Sequence, residues 1–258
     1  MIPAILHGKL SSEQENMEDI LTSNVFGLLK HLPPESGLFP FLALSEDLKG
    51  DHPLGRILSS DEIGEDVHVE YIFWPWMKEE DCTGAEPDVQ IEIRMPNRHL
   101  SIIIEAKYHS PKSSAADDSV EPPTDQLAKQ WDNLRVTAKK NGATPYLIYL
   151  TAGFGRPEEE IRASLDEYRK KRPEYDPMSV LWLSWRRLNT VLDHDTSIGL
   201  DLLDLLAQLN LIYFQGFGTF ENISFPKWMF TGVKPKAEDA IDWSLFKQSH
   251  NITWRYII

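Results

Sequence analysis

Cysteine is almost missing from this chain: Cys82 is the single copy in 258 residues. One thiol excludes an internal disulfide and any cysteine-rich zinc site. No run of 18 uncharged apolar residues occurs, so no transmembrane helix and no membrane partner is expected. Met1 to Lys9 lack the basic region and long apolar stretch of a secretory signal, which makes a soluble cytoplasmic protein the expectation. The 8 histidines include no His-X-X-X-His pair, and no internal repeat is visible. Basic charge is scarce too. Lys and Arg number 26 against 40 Asp and Glu, a net charge of −14 that opposes unaided binding to a polyanion.

That deficit is uneven. Residues 1–128 carry 9 basic and 24 acidic side chains, residues 129–187 carry 12 and 8, and residues 188–258 carry 5 and 8. Only the middle has a basic surplus, through Arg135, Lys139, Lys140 and the run Arg169-Lys170-Lys171-Arg172. Such a run is more often a solvated helix end than a binding patch.

A hydrophobic content of 41 % over this length is enough for one sizeable core. Ser11-Ser12-Glu13 reads as a helix start, with Met17, Ile20, Leu21, Val25, Leu28 and Leu32 along one face and Pro33-Pro34 as the stop. Residues 35–66 read as loop with a short helix. Val67 to Trp76 has the aromatic and β-branched content of a strand, and two more strands fall at about 88–95 and 99–107. Residues 110–124 read as a mobile loop. Thr124-Asp125 then caps a helix to about Lys140, closed by Asn141-Gly142. Pro145–Thr151 is a strand, Glu158–Lys171 a helix, Val180–Trp185 a strand, with helices near 186–193 and 197–210. The order predicts an α/β fold, a central mixed sheet flanked by helices, over residues 1–210. Residues 211–258, rich in Phe, Trp and Gly, read as a C-terminal extension packed on the same core.

Residues 88–107 carry the chemistry. With Pro96-Asn97 as a two-residue turn, Met95 pairs with Arg98 and Asp88 falls opposite Glu105. Alternation supports that register. One face collects Val89, Ile91, Ile93 and Met95 against Leu100, Ile102, Ile104 and Ala106. The other collects Asp88, Gln90, Glu92 and Arg94 against Ser101, Ile103, Glu105 and Lys107. Two carboxylates and a lysine thus meet at one end of one face. Like charges that close repel, and a hard divalent cation bound by oxygens resolves the repulsion. Lys107 would then hold or deprotonate a water and offset charge on a phosphoryl oxygen. A surface cluster of Asp, Lys and Glu on a half-exposed sheet is the plainer alternative.

Pro87-Asp88, sixteen intervening residues, and Glu105-Ala106-Lys107 at the end of an Ile-rich strand resemble the motif of the PD-(D/E)XK nuclease superfamily. The resemblance covers about residues 13–190 and implies a restriction-endonuclease-like core. It also implies Asp88, Glu105 and the Ala106 carbonyl as ligands of Mg²⁺, with Mn²⁺ as a substitute, and Lys107 as the residue that positions water. Many members place a Glu on the first helix and a Gln on the helix after the Glu-X-Lys strand. Glu18 and Gln126 are the matching positions, with Gln130 as the competitor to Gln126. The implied function is hydrolysis of phosphodiester bonds, most readily in DNA, as in a restriction or phage-defence system. The charge deficit implies a partner protein or a homodimer that supplies DNA affinity. The alternatives are a catalytically silent binding subunit with this fold, or an enzyme directed at RNA.

Other candidates are weaker. His109, two beyond Lys107, could touch a phosphate. Ser184 and Cys82 lack a recognisable base partner. Gly153-Phe154-Gly155 is too short for a phosphate loop. Trp74 and Trp76, on either side of Pro75 at a strand end, are read first as core and second as base-stacking residues.

Overall fold

Five strands of the expected kind form one sheet. The computed structural model describes residues 13–59 and 66–212. Strands β1 (His68–Phe73), β2 (Val89–Met95), β3 (Arg98–Lys107), β4 (Thr144–Thr151) and β5 (Val180–Ser184) lie in the order β1-β2-β3-β4-β5. The first three form an antiparallel meander, and β4 and β5 add in parallel. Met95 pairs with Arg98 and Val89 with Ile104, which is the register expected from alternation. Neither Pro96 nor Asn97 takes a positive φ, so the turn is not one of the primed types that tight hairpins prefer.

Alternation along β2 and β3 divides two cores. Val89, Ile91, Ile93, Leu100, Ile102, Ile104 and Ala106 pack with helix α1 (Glu13–Leu29) and two short helices, α2 (Leu38–Ala43) and α3 (Pro53–Leu58). The 3₁₀ helix Trp185–Thr190 and α6 (Ser197–Gln208) complete this layer. On the opposite face Ile103, Leu147, Tyr149 and Trp182 pack with α4 (Gln126–Asn141) and α5 (Glu158–Lys171). The chain is therefore α/β, with a mixed sheet between two helical layers.

Several details depart from expectation. Residues 35–59 are not mainly loop: Leu38, Phe39, Phe41, Leu42, Leu54 and Leu58 are all buried in the first core. Each of the two helices there spans six residues, under two turns, too few to show a period. On α1 the buried face is Leu21, Val25, Phe26 and Leu29, while Met17 is exposed. The segment 110–124 is tied down. Lys112 Nζ bonds Asp125 and Ser164 Oγ, and Glu167 accepts from the backbone N–H groups of Thr124 and Asp125.

Helix α4 has the caps its sequence announced. The Asp125 side chain accepts from the N–H groups of Leu127 and Ala128, and Gly142 closes the helix at φ 65°. The basic run at the end of α5 is neutralised. Arg172 and Arg135 both bind the fully buried Asp132 (2.9 and 2.8 Å), Lys171 binds Glu167 (2.9 Å), and Lys170 binds Asp118 (2.7 Å). It is a helix end and not a cationic face. The outer edge of β5 is covered by a backbone bridge between Glu46 and Trp182. By contact density the chain divides into Met1–Phe214 and Gln215–Ile258. The expected packing of a C-terminal extension from 211 onward falls, beyond residue 212, outside the described residues. No helix among the described residues is long and apolar enough to cross a membrane.

Candidate functional site

The hairpin register, carried one step past Val89, sets Asp88 level with Glu105. The two side chains do not simply face each other. Asp88 Oδ2 accepts the backbone N–H of Ala106 at 2.8 Å, and the Asp88 carbonyl accepts the N–H of Trp74 at 3.0 Å. In an extended strand the N–H and C=O of one residue point the same way, so the Ala106 carbonyl also faces the β2 side. The residue level with Ala106 is Pro87, which has no N–H to give it. Proline beside Asp88 thus frees the Ala106 carbonyl from the ladder, and Asp88 itself draws off the Ala106 N–H. The N–H turns to a carboxylate, and the carbonyl is left able to take another partner.

Glu105 and Lys107 leave β3 on the same face, and both are buried. Lys107 Nζ lies 2.7 Å from Glu105 Oε1 and 3.0 Å from Glu18 Oε1. Glu18 comes from α1. It is four residues before Thr22 and seven before Val25, both fully buried, so it begins the helix face that meets the sheet. Its other oxygen accepts the N–H of Tyr108 (2.9 Å) and the hydroxyl of Ser110. From α4, Gln126 Nε2 donates to Glu105 Oε1 and Gln130 Nε2 to Glu105 Oε2. Gln126 is itself fixed by the N–H of Ser113, which donates to its Oε1 at 2.7 Å. The first two turns of α4 therefore deliver two amides to one carboxylate.

Sequence reasoning ranked Gln126 over Gln130 as alternatives; they act on the same group, one on each oxygen. A spacing of four residues on a helix is the signal that could have found the pair. Gln130 Oε1 is also notable, because it is buried and has no hydrogen-bond partner. A buried acceptor left unpaired costs about 1–3 kcal/mol, so a donor or cation at this spot would be stabilising.

The electrostatics are those of a crowded anionic site around one ammonium. Burial pushes the Asp88 carboxyl well above its ordinary range, and the negative charges of Glu105 and Glu18 add to the effect. Burial likewise raises Glu105, although Lys107 and Gln130 pull it back down. Burial works to lower Lys107, but Glu105, Asp88 and Glu18 more than reverse this, and its pKa rises above the ordinary lysine value. Lys107 is therefore an ammonium at neutral pH. Of the two roles open to it, holding a water by donation fits its charge and taking a proton from it does not.

Among the described residues no three His, Cys, Asp or Glu side chains gather around one point that could hold an ion. The donors are nonetheless of the right kind for Mg²⁺, which needs only one or two carboxylates and otherwise keeps water and substrate oxygens. Asp88, the Ala106 carbonyl and Glu105 supply hard oxygens, and a cation would offset the burial that raises both carboxyls.

Asp88, Glu105, Lys107, Glu18, Gln126 and Ala106 thus lie in one buried network at the end of the sheet. The other candidates separate from it. His109 is exposed, its ring against Tyr108. The Ser184 hydroxyl donates to the Gly153 carbonyl, and the buried Cys82 thiol is pushed up to about 11, mainly by burial, which leaves it unreactive. No family model matches the chain, and no curated protein or solved structure matches it.

Proposed function

We propose that this chain is a metal-dependent nuclease of the PD-(D/E)XK type, acting on phosphodiester bonds, with DNA as the leading substrate. The observation that carries the reading is the gathering of Asp88, Glu105, Lys107, Glu18 and Gln126 from α1, the start of β2, β3 and α4. A structural role alone is poorly served by it, since burying four titratable groups costs more than burying an apolar cluster of that size.

In this reading Lys107 holds the attacking water by donation and faces the charge that grows on the phosphoryl oxygen. Water adds to phosphorus as the bond to the leaving oxygen breaks. The water proton passes to a neighbouring carboxylate or to solvent. Glu18 fixes the ammonium, and Gln126 and Gln130 fix Glu105. Mg²⁺ held by Asp88, Glu105 and the Ala106 carbonyl would supply positive charge to the phosphoryl oxygens.

The second reading is a non-catalytic subunit with the same fold. It is favoured by one feature: both oxygens of Glu105 already have donors within the chain. The deciding assay is cleavage of labelled DNA and RNA by the full chain with Mg²⁺ or Mn²⁺, beside Lys107→Ala and Asp88→Ala. The nuclease reading expects both variants to lose at least ~10²-fold in rate. Cleavage surviving undiminished in both would remove the mechanism, and no cleavage by the parent with any substrate would favour the second reading.

A further inference from the structure

All five strands end or begin at the edge of the sheet that carries the candidate site. The segments that follow β1 and β4 there each present a large ring. Trp74, the first residue past β1, is buried and turns the chain with φ 47°, a conformation costly for a bulky residue. Trp76, two residues on, is 69 % exposed. Its ring is seated on backbone: a Cβ at Gly84 would lie 2.7 Å from Trp76 Cζ2, so only glycine lets the indole rest there. Beyond β4, Phe154 is 71 % exposed, and the Arg186 guanidinium lies 3.9 Å from its ring centroid. Arg186 is buried and is held by the carbonyls of Ala152, Asn210 and Ile212. Each ring therefore has a fixed support on one side and is largely open to solvent.

We propose that Trp76 and Phe154 are stacking platforms for bases of a single-stranded nucleic acid whose backbone crosses the site between them. The proposal deepens the nuclease reading and rests on it for the placement of the scissile phosphate. β1 and β4 are three strand spacings apart, about 14 Å, with Asp88 and Lys107 on the strands between. One stacked step of duplex DNA advances only about 3.4 Å, and a paired base has both faces covered by its neighbours. Platforms rising from strands that far apart suit unstacked bases flanking a phosphate better than adjacent stacked bases.

Charge points the same way. The chain carries −14, and the basic run of α5 is consumed by internal acids, so phosphate attraction contributes little. Stacking provides affinity that does not depend on net charge, and the cation beneath Phe154 strengthens its ring as a base partner. A protein-binding surface would instead be expected to offer a continuous apolar patch. Here the rings rise from separate segments, one after β1 and one after β4, with the polar site residues on the strands between.

The test is equilibrium binding of the full chain, with Ca²⁺ replacing Mg²⁺, to labelled single-stranded DNA, single-stranded RNA and a matching DNA duplex at two salt concentrations. The expected result is at least tenfold preference for one of the single strands over the duplex, with weak salt dependence. Trp76→Ala should lose about tenfold for the single strand and nothing for the duplex, while Trp76→Phe should retain most of the affinity. The DNA and RNA arms identify the sugar. Equal or tighter duplex binding, unchanged affinity in Trp76→Ala, or no binding to any nucleic acid would each overturn the proposal. Cleavage that persists alongside an unaffected Trp76→Ala removes the platforms and leaves the nuclease. Single-strand binding that depends on Trp76 without any cleavage does the reverse.

Discussion

Along β2 and β3, alternate residues enter two buried environments of opposite character. Towards α1 the strands offer Val89, Ile91, Ile93, Leu100, Ile102, Ile104 and Ala106, all apolar and all without solvent exposure. Towards α4 the same strands offer Asp88, Gln90, Glu92, Ser101, Glu105 and Lys107, equally buried, with Ile103 the one apolar residue among them. Burial is nearly the same on the two sides, so its energetic sign is what differs. Each apolar side chain contributes roughly 1.5–3 kcal/mol by leaving water, whereas each buried ion must recover its desolvation through specific partners. The dry face can hold the molecule together, and the polar face draws on that stability to keep charges where water would otherwise disperse them.

The sharpest way to break the comparison is on the dry side. Ile102→Ala leaves a cavity between the sheet and α1, and the expected loss is about 2–5 kcal/mol in denaturant unfolding. At low temperature, where the variant remains folded, its metal-stimulated cleavage per molecule should match the parent. A variant that loses activity while folded would show that the dry face sets the geometry of the site and does more than support it.

The polar side should respond with the opposite sign. Asp88 has a carboxyl raised in the folded state, so the folded chain binds its proton more tightly than the unfolded chain does. Stability is then lost as pH rises from the ordinary carboxyl value through the raised one, and the cost is fully present above it. Glu105 acts in the same direction, while the raised Lys107 contributes stability that is fully present below its ordinary value. Asp88→Asn keeps an oxygen for the Ala106 N–H and removes the charge. Near pH 8 it should unfold about 0.5–2 kcal/mol later than the parent, with the gain vanishing at acid pH. Mn²⁺ should raise the parent's melting temperature more at pH 8 than at pH 5 and leave Asp88→Asn unmoved. Asp88→Asn less stable than the parent at pH 8 would mean that the charge is fully compensated inside the protein.

How much of this was legible beforehand follows the range of the forces. The β2–β3 register was readable because a one-residue slip would have turned Ile102 and Ile104 away from the core. The caps of α4 were readable because Asp125 and Gly142 act on backbone within four residues. Helices α2 and α3 were not, since Leu38 to Ala43 is too short for a period and folds through contacts with α1 and the sheet. Nor was the anchoring of 110–124, which depends on Lys112 and Glu167 meeting partners 13 to 52 residues away. In the candidate site the residues could be named, but their connections could not. That Asp88 would turn to the Ala106 N–H, and that Gln126 and Gln130 would divide Glu105 between them, depends on how α4 lies across β3. Trp74 and Trp76 show the same limit: identical residues two apart, one buried and one exposed, separated by a backbone turn that composition does not announce.

The smallest expected effect locates the boundary between chemistry and scaffold within the polar face itself. Glu92 lies four residues along β2 from Asp88, buried, and accepts from the Ser101 hydroxyl and the Gln90 amide, with His99 2.6 Å away. It is a carboxyl as buried as Asp88 but sits towards the hairpin turn, away from the end of the sheet that carries Lys107. Position along the strand and not burial should therefore decide its role. Glu92→Gln replaces one acceptor oxygen by a donor among groups that already donate, and should cost about 1 kcal/mol in unfolding. Cleavage rate and the Mn²⁺-induced shift in melting temperature should stay at parent values. A fall in either would extend the proposed network along the whole length of β2, with the His99–Glu92 hydrogen bond acting on the Lys107–Glu105 pair.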